Sequence, residues 1–160
     1  MTNRGFALAS LAFGAMILAG ASTSRAAGPF QFHAVTPCRV LDTRVNGGQT
    51  TGAPQNQGQE YDYVLQGNCG IPVGAKAVTL NATLVSPTRE GFLSLWPAGG
   101  AFPTVSTLNF NAGEPALANG AIVPVASPLV GGKDIAVAIG MQAAGTAHVI
   151  IDVTGYFIEP

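Results

Sequence analysis

Charged side chains are scarce in this chain, and neither sign dominates. They make up 9% of the 160 residues, with seven Lys and Arg against eight Asp and Glu. Binding of nucleic acid or of anionic lipid calls for clustered basic residues, and the sequence has no basic patch or stripe. We therefore expect no nucleic-acid partner and no charged lipid partner.

Cysteine and histidine are equally rare, with two residues of each. Cys38 and Cys69 are too far apart for a CxxC redox pair and too few for a Cys-only metal site. His33 and His148 do not form an HExxH motif, and no GxSxG nucleophile elbow occurs. We therefore predict no metal site and no catalytic residue, with both histidines in structural roles.

Long apolar runs are absent apart from one at the N-terminus, residues 6–21. Its length of about 16 residues is short of the roughly 20 that a membrane-spanning helix needs. Arg4 precedes it, and Ser24-Arg25-Ala26 follows with small residues at the positions that a signal peptidase reads. We interpret residues 1–26 as a cleaved secretory signal peptide. The protein is then exported to the periplasm, the cell surface or the medium, with no transmembrane anchor after cleavage.

Residues 27–160 are expected to form one domain, since about 134 residues can bury a substantial core. Cleavage removes Arg4 and Arg25, which leaves five basic residues against eight acidic ones. An even cysteine count in an exported chain predicts a disulfide, here Cys38–Cys69. A loop of about 30 residues closed in this way gains roughly 3–4 kcal/mol in the loop-entropy model.

No segment shows a convincing amphipathic helix period, whereas short runs of β-branched and aromatic residues alternate with Gly and Pro. This pattern predicts an all-β fold, an antiparallel β-sandwich or jelly-roll-like single domain. Within residues 76–85, the alternation places Val78, Leu80, Ala82 and Leu84 on the core face. The nine predicted strands are 31–36, 39–43, 61–66, 76–85, 91–96, 105–110, 121–126, 134–139 and 148–157.

Residues 45–59 differ from the rest because they are nearly all Gly, Gln, Asn, Thr and Pro. With almost nothing to bury, this segment is expected to be a long mobile loop inside the disulfide ring.

A few polar and aromatic residues are candidates for a site. Asp42 and Arg44 share a strand face, where they can line a polar site or form a structural ion pair. Trp96 ends a strand beside a turn, where its ring can serve as a ligand platform or fill the core. Calcium between acidic loops is a further open alternative, although no DxDxDG-type loop occurs. The acids expected near turns are Asp62, Glu90, Glu114 and Asp134.

Several segments taken together resemble a known family. They are PCRVLDTR, CGIP followed by AVTLNATLVSPTREGFLSLWPAG, STLNFNAGEPALANGAIVPV, and HVIIDVTGYF. This succession is similar to a β domain of bacterial exported proteins, which occurs alone, in tandem, or appended to cell-wall hydrolases and other surface enzymes. The resemblance covers residues 32–157 and implies an extracellular accessory module with no assigned catalytic residues. Cys38 and Cys69 depart from it, since such domains typically carry small uncharged residues there.

The expected function is therefore that of a secreted, non-catalytic surface module that binds the cell envelope or a glycan. The expected site is shallow and polar, with Asp42, Arg44 and Trp96 close together. One alternative is a self-associating structural subunit of an extracellular assembly, because low charge and 48% hydrophobic residues suit buried subunit contacts. A second alternative is a small secreted hydrolase, which needs a carboxylate pair or a histidine-centred cluster in one cleft.

Overall fold

The computed structural model describes residues 28–160, and the predicted signal peptide of residues 1–26 lies outside this range. All regular secondary structure in the described range is β. No helix that could cross a membrane is found there. The strands are β1 (Gln31–Asp42), β2 (Asn46–Gly47), β3 (Thr50–Thr51), β4 (Gln55–Asn56), β5 (Glu60–Tyr63), β6 (Ala77–Val85), β7 (Gly91–Pro97), β8 (Leu108–Phe110), β9 (Ala116–Pro124), β10 (Ile135–Met141) and β11 (Thr146–Ile158).

The strands form two antiparallel sheets that pack face to face. One sheet has the order β1-β11-β6-β9, with β4 paired to the start of β11. The other has the order β5-β10-β7-β8, and β2 with β3 makes a separate small hairpin. The predicted antiparallel β-sandwich is therefore confirmed.

The core lies between the sheets because alternate residues of their central strands are apolar. In β6 the predicted core residues are all buried, and they alternate with half-buried residues on the other face. The residues that β11, β7 and β10 contribute from both sheets include Val149, Ile151, Val153, Leu93, Leu95, Ile135, Val137 and Ile139.

Several strand boundaries differ from the prediction, and the predicted strand 61–66 already ends at Tyr63 as β5. The predicted strands 31–36 and 39–43 are one strand, β1, whose register shifts between Ala34 and Cys38 accommodate Pro37. The predicted strand 105–110 is shortened to β8, because residues before Leu108 fold over the outer face of β7. The predicted strand 121–126 begins earlier, at Ala116.

The prediction that residues 45–59 form a long loop with almost nothing to bury is wrong. The segment contains β2, β3 and β4, and Gln55 is 1% exposed. The Gln49 side chain takes the place of a strand neighbour, since it donates to the Val64 carbonyl at 2.9 Å and accepts from the Val64 N–H at 2.7 Å. Side-chain amides thus supply the hydrogen bonds that hold a segment with little to bury.

The predicted disulfide is present. Cys38 in β1 is bonded to Cys69 in the turn after β5, with a Cα–Cα distance of 5.7 Å. The bond links the five-stranded sheet to a loop that leaves the four-stranded sheet. Such a bond fits an oxidising compartment outside the cytoplasm.

Candidate functional site

Asp42 and Arg44 form an ion pair at the end of β1. Arg44 donates to the two Asp42 carboxylate oxygens through Nε at 2.9 Å and Nη2 at 2.7 Å, and its backbone N–H donates at 3.1 Å. These hydrogen bonds lower the pKa of Asp42 from 3.8 to about 2. A bidentate ion pair of this kind fixes the chain where β1 turns towards β2.

The ion pair extends across the sheet to β11. Arg39 donates to both oxygens of Asp152, its register partner, at 2.8 and 3.0 Å, and reaches Asp42 at 3.4 Å. Two carboxylates and two guanidinium groups therefore neutralise one another on the outer face of the five-stranded sheet. The hydrogen bonds of Asp42 are directed at its neighbours, which favours the structural interpretation of Asp42 and Arg44.

His148 lies next to a buried hydroxyl. Its Nδ1 is 3.1 Å from Oγ1 of Thr43, which also accepts the Val149 N–H at 2.9 Å. Thr43 is only 2% exposed, so its oxygen is not open to a substrate. The pair fastens the end of β1 to β11.

Two of the acidic residues expected near turns accept hydrogen bonds inside the fold. Asp134 is fully buried and accepts the N–H groups of Leu65 and Gln66 at 2.8 and 2.7 Å. Burial raises the pKa of Asp134, and these hydrogen bonds partly offset that rise. Glu114 accepts from Asn111 in its own turn. Within residues 28–160, no group of three or more His, Cys, Asp or Glu residues is placed to hold a metal ion.

Trp96 lies on the opposite side of the sandwich from Asp42 and Arg44. It projects from the outer face of β7, outside the main core, and packs with Ala136 and Ala138 of β10. It is 3% exposed because the ring of Phe102 covers it, with ring centroids 5.1 Å apart. The structure therefore does not bring the three expected site residues together, and Trp96 supports a surface feature instead of forming it.

That surface feature is a groove beside Phe102. It has a volume of about 400 Å³, within the size range of small-ligand sites. The groove lies between the outer face of β7, the 98–107 loop and β8. Its lining residues are Phe92, Phe102, Pro103, Thr104, Val105, Ser106 and Asn109.

The 98–107 loop is fixed on the sheet by hydrogen bonds from β7. The Trp96 indole donates to the Gly100 carbonyl at 3.1 Å, and the Ser94 hydroxyl donates to the Val105 carbonyl at 2.9 Å. The Leu95 N–H donates to the Thr107 hydroxyl at 3.1 Å. The groove wall is thus preorganised by the same strand that forms its floor.

The floor of the groove depends on a glycine. Phe92 and Gly140 are register partners, and a Cβ on Gly140 would clash with the Phe92 ring. The Phe92 ring therefore lies over Gly140 of β10, and it faces Phe102 at 6.5 Å in an edge-to-face arrangement. Small residues on β10 make room for the aromatic side chains of β7 that lie over them.

The polar side chains of the groove are free to bind a ligand. Thr104, Ser106 and Asn109 are exposed, and their side chains make no hydrogen bond within the described part of the chain. None of the described lining residues is charged. Phe102 is 53% exposed, so an aromatic face is available beside two hydroxyl groups and an amide.

Sequence reasoning missed the groove although part of its signal was present. The alternation in FLSLWP places Phe92, Ser94 and Trp96 on one face, opposite the core residues Leu93 and Leu95. An aromatic outer face of this kind needs a cover, and the loop that follows carries another aromatic, Phe102.

Comparison with protein-family models, with curated proteins and with solved structures found no match to this chain.

Proposed function

We propose that this protein is an exported, non-catalytic module that binds a neutral glycan of the cell envelope through the groove beside Phe102. The observation that carries this proposal is the combination of an exposed aromatic ring with free, uncharged polar side chains in one preorganised groove.

A sugar ring has an apolar C–H face and a rim of hydroxyl groups. Phe92 and Phe102 offer aromatic rings against which the apolar C–H face can pack. Thr104, Ser106 and Asn109 offer both hydrogen-bond donors and acceptors for the hydroxyl groups of the sugar. A charged ligand finds no counter-charge among the lining residues, so the groove suits a neutral one.

Location supports the same proposal. The Cys38–Cys69 disulfide fits a protein that works outside the cytoplasm, where envelope glycans are found. A surface module of this kind holds itself, or an associated protein, on the cell wall without chemistry of its own.

Retention on insoluble cell-wall and polysaccharide preparations tests the proposal. We expect saturable binding to one material and a rise in dissociation constant of about tenfold, or ~1.4 kcal/mol, for Phe102→Ala. Asn109→Ala removes a polar contact without uncovering Trp96 and is expected to weaken binding several-fold. Val73→Ala is the matched control, because Val73 is 74% exposed and does not line the groove.

Two results would contradict this function. One is equal retention of the wild type and of both groove variants, with circular dichroism showing that all of them are folded. The other is loss of retention in Asp42→Asn with the groove variants unaffected, which would move the site to the ion-pair cluster of β1.

A further inference from the structure

Strand β9 leaves one of its edges unpaired. It pairs with β6 along its whole length and without a register shift. Along its other edge, no backbone hydrogen bond to another part of residues 28–160 is present. Six of its nine residues are exposed, and the Asn119 side chain is the part of β9 that bonds the 98–107 loop, donating to the Thr107 carbonyl at 2.7 Å. Alternate N–H and C=O groups of β9 therefore point outwards as a template for another strand.

The other three edges of the two large sheets are each protected against such pairing. β1 carries Pro37, two register shifts and the charged Arg39. β5 has only four residues, two of them acidic, and β8 has only three. Charge, proline, irregular register and shortness are the usual means of blocking an edge. β9 is uncharged, nine residues long and regular in register, and its one proline, Pro124, is its last residue.

The chemistry of β9 suits a second copy of itself. Antiparallel pairing about a two-fold axis at Gly120 sets Ala118 opposite the partner's Ile122, and Ala116 opposite the partner's Pro124. Ile122 is 64% exposed, and the small Ala118 opposite it leaves room for its side chain. Neither β9 nor the adjacent β6 contains a charged residue, so the approaching copy meets no like charge.

We propose that two copies of this chain associate by antiparallel pairing of their β9 strands, which joins the two five-stranded sheets into one continuous sheet. The interface is isologous, so it closes at a dimer and does not propagate into a filament. This inference does not depend on glycan binding, because it involves a different strand and a different test.

The first experiment measures the mass of the purified chain by sedimentation and light scattering over a wide range of concentration. We expect a monomer–dimer equilibrium with no larger species. In the dimer, the outward-facing amides of β9 are expected to exchange their hydrogens more slowly than in the monomer.

The register is tested by paired charges. The double variant Ala118→Lys/Ile122→Lys sets ammonium groups opposite each other twice across the two-fold axis. We expect its dissociation constant to rise by on the order of tenfold or more, because like charges opposite each other destabilise strand pairs. Ala118→Glu/Ile122→Glu is expected to behave in the same way alone. A mixture of the two double variants is expected to restore dimers, now mixed, since opposite charges then face each other.

The matched control is Val45→Lys/Val73→Lys, which adds the same charge at two exposed positions outside β9 and is expected to dimerise like the wild type. A monomer at every concentration would overturn the proposal, including the case in which β9 pairs only with another protein. Dimers that persist in the lysine variant would overturn it as well, and so would folded double variants that fail to form mixed dimers.

Discussion

At the scale of single residues, the surroundings of Asp42 shift the pKa of its carboxyl group strongly, although the group is still near solvent. Its side chain is 11% exposed, and hydrogen bonds from Arg44 hold its pKa at about 2, below the ordinary 3.8. A folded-state pKa below the unfolded value means that the ionised form stabilises the fold. This contribution is present above about pH 4 and is lost as the pH falls through 2.

Asp42→Asn is therefore expected to lower the free energy of unfolding at pH 7 by about 1–2 kcal/mol, after allowance for the half-exposed arginines. The difference between the wild type and the variant should shrink as the pH falls from about 4 towards 2. Denaturant titrations at a series of pH values measure it.

Asp134 acts in the opposite direction, because its raised pKa favours the folded state at low pH. This contribution is common to the wild type and to Asp42→Asn, so it cancels when their free energies of unfolding are compared. A stability difference that stays constant from pH 7 to pH 2 would contradict the assigned role of Asp42.

Residue-scale prediction worked where partners are close in sequence. Asp42 and Arg44 are two residues apart on a strand, so their pairing could be foreseen as one of two interpretations. Arg39 and Asp152 could not be foreseen as partners, because only the pairing of β1 with β11 sets them opposite each other. Trp96 was open to both roles in the sequence, and its burial depends on a loop whose path the sequence does not specify.

At the scale of strands and loops, short runs of apolar, β-branched and aromatic residues predicted β6, β7, β10 and β11 well. The first five residues of β9 were missed, because four of the nine residues of this strand are Ala or Gly, which have low β-propensity. The prediction failed again for residues 45–59, where polar side chains make the bonds. Gln55, for example, is buried and donates to the Tyr63 hydroxyl at 2.9 Å.

The disulfide acts at this scale, since it joins β1 to the turn after β5. Cys38→Ala/Cys69→Ala is expected to reduce the free energy of unfolding by about 3 kcal/mol, because the bond closes a loop of 31 residues in the unfolded chain. Denaturant unfolding of the wild type with and without a reducing agent measures the same quantity independently.

The double variant itself is the control for the reducing agent, which should leave its unfolding curve unchanged. An oxidised wild type that is no more stable than the variant would contradict a stabilising role for this bond.

At the scale of the whole molecule, the sandwich presents two different outer faces. The face of the five-stranded sheet carries the neutralised ion-pair cluster, whereas the face of the four-stranded sheet carries the aromatic groove. The sandwich itself follows from many short alternating strands. The groove cannot be predicted in the same way, because β7, β8 and the 98–107 loop form it together. Their arrangement follows from the order of strands in the sheet.

The two faces give different expectations for the effect of salt. Binding through Arg39 and Arg44 would weaken with ionic strength, because exposed charges are screened. Binding through Phe102 and its uncharged neighbours should hardly change between low and high salt.

Retention on the preferred glycan material, measured at low and at high salt for the wild type and for Phe102→Ala, tests the central claim most directly. We predict strong, salt-resistant retention of the wild type and at least about tenfold weaker retention of the variant. Retention that disappears at high salt, or that is the same for both proteins, would contradict glycan binding at the groove.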